Sequence, residues 1–68
     1  MKQYYPKAYE YFKKAAVQGD IRALTQVGYM FHNGYGVPQD YQKAYTYYKK
    51  AADSGNMTAQ YNLGLLYL

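Results

Sequence analysis

The sequence contains no cysteine and no tryptophan, and its single histidine is His32. Without cysteine there is neither a disulfide framework nor a thiolate metal site, which favours a reducing compartment such as the cytoplasm without fixing it. No apolar run of the kind found in secretory signals follows Met1. No stretch of the sequence approaches the roughly 18 apolar residues of a membrane span. We therefore predict no signal peptide and no membrane span, and the localisation stays open.

Acidic side chains are also scarce. Glu10, Asp20, Asp40 and Asp53 stand against seven lysines and one arginine, for a net charge of +4. No two of the four acids are spaced as neighbours on one helix face, so a carboxylate pair, a catalytic triad and a metal cage cannot be assembled. We predict that the chain is not an enzyme and uses no metal or cofactor, while its mild basic excess favours acidic partners.

Tyrosine is abundant: 12 of the 68 residues are tyrosines, and half of all residues are hydrophobic in total. A tyrosine ring packs like a hydrophobic group, but its hydroxyl must reach water or a hydrogen-bond partner. A chain of this length forms one domain at most and has a small core. We therefore expect a single domain over residues 1–68 with a thin, amphipathic core.

The chain repeats itself with a period of 36 residues. Tyr4 to His32 aligns with Asp40 to Leu68 without a gap, and 12 of the 29 aligned pairs are identical. The most regular part is Lys7-Ala8-Tyr9, which returns as Lys43-Ala44-Tyr45. A fixed period in this range is the signature of stacked supersecondary units.

Each unit contains two segments with helical periodicity. The four predicted helices cover residues 5–18, 20–33, 41–54 and 57–68. Gly19 and Gly55 are placed to end a helix in the left-handed conformation, and Asp20, Asp40 and Asn56 are placed to cap the next one. The segment 33–40, with two glycines and a proline, is the one longer loop. We therefore predict an all-α fold of about two helix-turn-helix repeats with four antiparallel helices.

Small and aromatic residues alternate on the predicted inner faces of these helices. Those faces carry Ala8, Tyr11, Phe12, Ala15 and Ala16, then Ala23, Leu24, Val27, Met30 and Phe31, then Ala44, Tyr47, Tyr48, Ala51 and Ala52, then Ala59, Leu63, Leu66 and Tyr67. Gly28 and Gly64 stand at equivalent positions in mid-helix, where glycine costs about 1 kcal/mol relative to alanine. We expect another helix to cross close to each of them.

One complete unit carries an ordered series of motif residues. In chain order they are Ala23, Val27-Gly28, Phe31, Gly34-Tyr35-Gly36-Val37, Asp40, Lys43-Ala44, Tyr47-Tyr48, Lys50-Ala51-Ala52 and Gly55. This pattern resembles the Sel-one-like repeat (SLR) family, which is related to the tetratricopeptide repeats. The resemblance covers nearly the whole chain, although the chain has none of the cysteine pairs with which some family members lock their helices.

The resemblance implies an α-solenoid that acts as an adaptor or scaffold for other proteins, in signalling, quality control or bacterial host interaction. The partner, a protein or peptide, would lie in a groove lined by the second and fourth helices. The candidate contact residues are Arg22, Thr25, Gln26, Tyr29 and His32 on the second helix and Thr58, Tyr61, Asn62, Leu65 and Leu68 on the fourth. The alternative is that these faces are merely solvated.

Two further hypotheses remain open. Leu63, Leu66, Tyr67 and Leu68 crowd the last turns, so the chain is expected to belong to a longer array or to self-associate as a dimer or filament, with its last helix against the first helix of another copy. An outer stripe of lysines and tyrosines, formed by Lys7, Lys13, Lys14, Lys43, Lys49, Lys50, Tyr9 and Tyr45, is the candidate nucleic-acid surface. For this stripe we favour the simpler role of a charged, solubilising surface.

Overall fold

A computed structural model of the protein describes residues 4–67. Within this range the chain forms four helices and no strand: α1 (Tyr5–Val17), α2 (Ile21–Asn33), α3 (Tyr41–Asp53) and α4 (Met57–Leu66). The predicted all-α class and its helical-hairpin repeats are thereby confirmed. Leu68, the last residue of the predicted fourth helix, lies outside the described residues.

The α1–α2 and α3–α4 turns are the same structure, built twice. At the end of α1 the Gly19 N–H donates to the Ala16 carbonyl at 2.9 Å, and the Asp20 N–H donates to the Ala15 carbonyl at 3.1 Å. At the end of α3 the equivalent bonds, from the Gly55 N–H to the Ala52 carbonyl and from the Asn56 N–H to the Ala51 carbonyl, have the same two lengths. Gly19 and Gly55 have φ of 92° and 93°, a region that favours glycine, so the predicted left-handed helix ends are confirmed.

Side-chain caps begin three of the four helices. Asp20, Asp40 and Asn56 each accept a hydrogen bond from the backbone N–H three residues further on, at 3.1, 3.0 and 2.8 Å. This satisfies one of the N–H groups that the first turn of a helix leaves without a partner. No side chain caps α1, which instead has Pro6 in its first turn, where the missing N–H costs nothing.

The core lies between α2 and α3. Val27 of α2 and Tyr48 of α3 are the largest fully buried side chains. Around them pack the other buried members of the main cluster, which are Ala16, Ala23, Leu24, Phe31, Ala44, Ala51 and Ala59. Two predicted inner-face residues are instead largely exposed: Tyr11 at 75% and Tyr67 at 72%. The faces of α1 and α4 that carry them are not covered by another described helix.

The helices stack so that one side of the molecule is tighter than the other. Helix α2 contacts α1, α3 and α4, and α3 also contacts α4. In contrast, within residues 4–67 no Cα atom of α1 lies within 8 Å of a Cα atom of α3. The side formed by α2 and α4 is therefore the inner side of the stack, and α1 and α3 spread apart on the outer side.

The two mid-helix glycines have different surroundings. A Cβ on Gly28 would stand only 2.7 Å from Cδ1 of Tyr48, so the expected close crossing at Gly28 is present. At Gly64 a Cβ would meet nothing within 4 Å among the described residues. The expectation of a crossing there is wrong for this part of the chain, because no described helix covers that face of α4.

The longer loop after α2 also fastens the start of α1. Its two ends are held by 2.9 Å backbone bonds from the N–H of Tyr35 to the Met30 carbonyl and from the N–H of Asp40 to the Phe31 carbonyl. Between them, Gly36 lies against the backbone of Tyr5, where an added Cβ would come within 2.6 Å of the carbonyl group. The loop thus depends on a glycine at this contact.

Candidate partner-binding groove

Helices α2 and α4, which form the inner side of the stack, each carry one stripe of exposed side chains. On α2 the stripe consists of Arg22, Gln26 and Tyr29, and on α4 it consists of Thr58, Tyr61 and Leu65. The spacing of three or four residues keeps each stripe on one helix face. We call these six residues the inner groove.

Three members of the inner groove are large and partly apolar. Tyr29 is 43% exposed, Tyr61 is 70% exposed and Leu65 is 38% exposed. Tyrosine and arginine provide a large contact area together with a polar group, and they are enriched among the residues that dominate binding energies. The inner groove therefore carries two tyrosines and an arginine, residue types that are frequent at protein interfaces.

Tyr29 is held in place by an aromatic contact that sequence reasoning missed. The ring of Tyr35 stacks on that of Tyr5, with centroids 4.6 Å apart and planes at 7°, and the ring of Tyr29 meets Tyr35 edge-on at 5.8 Å. A ring fixed in this way loses less conformational entropy on binding. The only signal in the sequence was a tyrosine between the two loop glycines, which does not reveal the contact.

Thr25 does not lie on the exposed face. It is only 6% exposed, and its hydroxyl donates to the carbonyl of Ile21 at 3.2 Å. Its repeat counterpart Tyr61 is exposed, because α2 has three neighbouring helices whereas α4 contacts only α2 and α3 within the described residues. The expectation that Thr25 lines the groove is therefore corrected.

His32 is half-buried and directed toward α3. Its Nδ1 lies 3.3 Å from the hydroxyl of Tyr48, and its ring meets the rings of Tyr41 and Tyr48 edge-on. It is thus a packing residue of the α2–α3 contact, which corrects its placement in the groove. Asn62 was also predicted to line the groove. It is half-buried and is not one of the six inner-groove residues.

The buried hydroxyl of Tyr48 is the most perturbed titratable group. Burial, followed by the nearby Tyr29, raises the pKa of Tyr48 far above its ordinary value of 10.0. The hydroxyl is protonated at neutral pH and forms a 3.3 Å hydrogen bond with Nδ1 of His32. This contact is structural, because Tyr48 is fully buried and cannot meet a ligand.

The residues predicted for self-association divide into two groups. Leu63 and Leu66 are half-buried and pack against the main cluster of the chain itself. Tyr67 is exposed, with its ring 6.2 Å from that of Tyr45, and Leu68 lies outside the described residues. Part of the apolar surface assigned to a second copy is therefore used within the chain.

The outer lysines are mostly exposed, but the tyrosines between them are partly used in packing. The Tyr9 ring meets Phe31 edge-on at 5.7 Å, and the Tyr45 ring contacts Tyr67. The one ion pair found in residues 4–67 joins Lys49 and Asp53 at 3.3 Å on the exposed surface of α3. Such a pair contributes little to stability.

Residues 4–67 contain no group of three or more histidine, cysteine or acidic side chains that could hold a metal ion. None of their helices combines the length and apolar character needed to cross a membrane.

Comparison with known proteins identifies the family. A family model described as Sel1 repeat matches residues 2–20, 21–56 and 58–68. A Sel1-like repeat-containing protein of Schizosaccharomyces pombe is 46% identical over 33 residues, which are 48% of this chain and 5% of that protein. The crystal structure of a Sel1 repeat protein from Oxalobacter formigenes is 42% identical and has a TM-score of 0.91.

That superposition covers 97% of this chain and 19% of the crystallised one, so the chain spans only a small part of the relatives it matches. Sel1 repeats are in general protein-interaction modules rather than catalysts. The ordered motif residues between Ala23 and Gly55 resemble the SLR family, and the family match now confirms that resemblance. The chain belongs to the Sel1 repeat family.

Proposed function

We propose that this chain is a non-catalytic protein-interaction module and that its inner groove binds a protein or peptide partner. The observation that carries the proposal is the exposure of Tyr29, Tyr61 and Leu65 on the tighter side of the helix stack. Three large, partly apolar side chains grouped on two neighbouring helices favour a binding surface.

The groove chemistry narrows the type of partner. Arg22 provides a planar, permanently charged group with several donors, which matches a carboxylate. The hydroxyls of Tyr29 and Tyr61 donate or accept hydrogen bonds, while their rings and Leu65 provide apolar contact. A peptide segment with an apolar side chain next to an acidic one fits this set.

The test is binding of peptides selected from a random peptide library on the immobilised 68-residue chain. The triple variant Arg22→Ala, Tyr29→Ala, Tyr61→Ala removes one cation and two rings from the groove. The matched control Lys14→Ala, Tyr4→Ala, Tyr67→Ala removes one cation and two rings from exposed positions outside the inner groove. We expect the groove variant alone to lose binding, with helicity of all proteins checked by circular dichroism.

Equal binding by the groove variant and the wild type would reject the groove assignment. Equal loss in both triple variants would mean that the peptides recognise rings and charge anywhere on the surface. Loss in the control alone would place the binding surface outside the inner groove.

Self-assembly is a second candidate function, and the internal repeat favours it. Tyr48 packs on Gly28 within the chain. The counterparts of these two residues are Phe12 and Gly64, and Gly64 has free space where its Cβ would be. We propose that α1 of a second copy docks on α4, as α3 docks on α2. This is a head-to-tail contact, which continues into a filament unless the ring closes.

A further inference from the structure

We propose that the outer side of the molecule contains a binding site for a phosphate monoester, in the cleft between α1 and α3. The cleft has a volume of about 350 Å³, within the size range of small-ligand pockets. Its floor is Phe31, and its walls are Tyr9 and Lys13 from α1 and Lys43, Thr46, Tyr47 and Lys50 from α3. We call it the outer cleft; it is separate from the inner groove.

Three ammonium groups line this cleft. Lys43 and Lys50 are seven residues apart, which is nearly two turns of α3, so they stand on the same face. The Nζ of Lys43 lies 5.3 Å from the centroid of the Phe31 ring, and the Nζ of Lys13 donates to the Tyr9 hydroxyl at 3.4 Å. These contacts hold two of the long side chains at the walls of the cleft.

The positive charge of the outer cleft is not neutralised within the described chain. Among residues 4–67 no carboxylate lies within 4 Å of the ammonium groups of Lys13, Lys43 or Lys50. The hydrogen bond to Tyr9 and the nearby Tyr47 raise the pKa of Lys13, so its ammonium form is retained at neutral pH. The cleft therefore concentrates three cations without a counter-charge, which favours an anionic ligand.

The aromatic rings in the cleft favour a compact anion over a nucleic acid. Phe31 stacks with Tyr47 at 5.8 Å and 12°, meets Tyr9 edge-on, and has Lys43 over its ring. Phe31 is only 5% exposed, so it offers no open ring face on which a base could stack. A phosphate monoester carries close to two negative charges and three acceptor oxygens, which matches three ammonium groups. A backbone phosphodiester carries only one charge.

The internal repeat provides a built-in comparison. On the open face of α1, Lys7, Tyr11 and Lys14 occupy the positions that Lys43, Tyr47 and Lys50 occupy on α3. The equivalent of Thr46 is Glu10, so a carboxylate stands between the two lysines of α1. On α3 the same repeat position carries Thr46, a neutral hydroxyl residue. The lysines of the outer cleft therefore have no carboxylate between them that would compete with an anionic ligand.

The experiment follows amide chemical shifts of the ¹⁵N-labelled 68-residue chain during titration with inorganic phosphate at pH 7.5, against sodium chloride at equal ionic strength. We expect phosphate, but not chloride, to cause saturable shifts at the cleft residues. Thr46→Glu and the double variant Lys43→Gln, Lys50→Gln should each weaken binding by about tenfold or more, as expected for loss of charge-assisted hydrogen bonds. The repeat-matched control Lys7→Gln, Lys14→Gln should stay within about twofold of wild type.

Two further arms distinguish the source of the phosphate. A short peptide with one phosphoserine that binds in the cleft, while its unphosphorylated form does not, would assign the site to phosphorylated proteins. Binding of inorganic phosphate alone would assign it to the free anion. Shifts of equal size with chloride would overturn the proposal, as would equal weakening by both double variants. Stronger shifts with a single-stranded oligonucleotide, lost equally in both double variants, would replace it by a diffuse nucleic-acid surface.

Discussion

The ring of Tyr48 lies directly on Gly28, with its Cδ1 and Cε1 atoms 2.7 and 2.8 Å from the point where a Cβ of residue 28 would stand. Tyr48 is fully buried, and its hydroxyl contacts His32, so the ring has no free space into which it could move. This contact explains why α2 carries a glycine in its interior although glycine weakens a helix. It also sets the distance between α2 and α3.

We expect Gly28→Ala to destabilise the 68-residue chain by about 1–3 kcal/mol, the usual cost of an added methyl group in a packed core. Gly64→Ala is the matched control, because Gly64 stands at the same repeat position with nothing within 4 Å. It should stabilise the chain by about 0.5–1 kcal/mol through helix propensity. Urea unfolding followed by circular dichroism measures both. A similar change in both variants would contradict the packing role of Gly28.

Gly64→Lys tests self-assembly. The side chain would project into free space in the monomer, so the chain should remain folded, but it would occupy the position that a docked α1 needs. If the second candidate function is correct, light scattering should show a concentration-dependent oligomer for the wild type and a monomer for the variant. The control Thr58→Lys adds the same charge at an exposed position on another face of α4. An unchanged mass for Gly64→Lys would exclude docking at Gly64.

The raised pKa of Tyr48 predicts a loss of stability at high pH. In the unfolded chain the hydroxyl ionises near its ordinary pKa of 10.0, while in the folded chain it stays protonated to higher pH. The stability is therefore fully present below pH 10.0 and declines as the pH rises above it. Tyr48→Phe should cost about 1 kcal/mol at neutral pH, through the lost bond to His32, and should reduce the decline.

The measurement is the free energy of unfolding in urea between pH 8 and pH 11. Tyr11→Phe is the control, because that ring is 75% exposed and its removal should leave the decline unchanged. A decline of the same steepness in Tyr48→Phe and in the wild type would mean that ionisation of Tyr48 is not its cause.

Asp40, which caps a helix, is expected to contribute more to stability than Asp53, which does not. Asp40→Ala should destabilise the chain by about 1 kcal/mol, because the bond that the Lys43 N–H donates to its carboxylate is lost at the start of α3. Asp53→Ala removes the same charge but only the exposed pair with Lys49, and should cost less than about 0.5 kcal/mol. Thermal unfolding distinguishes them. Equal costs would indicate that net charge, rather than capping, is responsible.

The loop glycines predict a difference between two similar substitutions. Gly34 and Gly36 both have positive φ, at 72° and 77°, so alanine is strained at either position and costs about 1 kcal/mol. At Gly36 the new Cβ would also come within 2.6 Å of the backbone of Tyr5, which cannot rotate away. Gly36→Ala should therefore be the more destabilising, and hydrogen exchange should show the N-terminal turn of α1 loosened. Equal losses in the two variants would contradict the role of this contact.

Helix ends and caps were predictable from sequence because they depend on a few neighbouring residues. Gly19 with Asp20, and Gly55 with Asn56, form the same backbone hydrogen bonds at the same distances in both units. The fold class followed from the 36-residue period, since a repeated local structure has few ways to stack. The family resemblance was recognisable for the same reason.

The sequence by itself determined the four helices, their turns and the stacking of two similar units. Only the tertiary structure decided what each repeated position does: Thr25 is buried while its counterpart Tyr61 is exposed, and Gly28 receives a ring while Gly64 faces free space. Turns and caps arise from contacts between residues close in the chain, which identical letters reproduce. Burial, in contrast, depends on how many helices surround a position, and the repeat pattern does not carry that number.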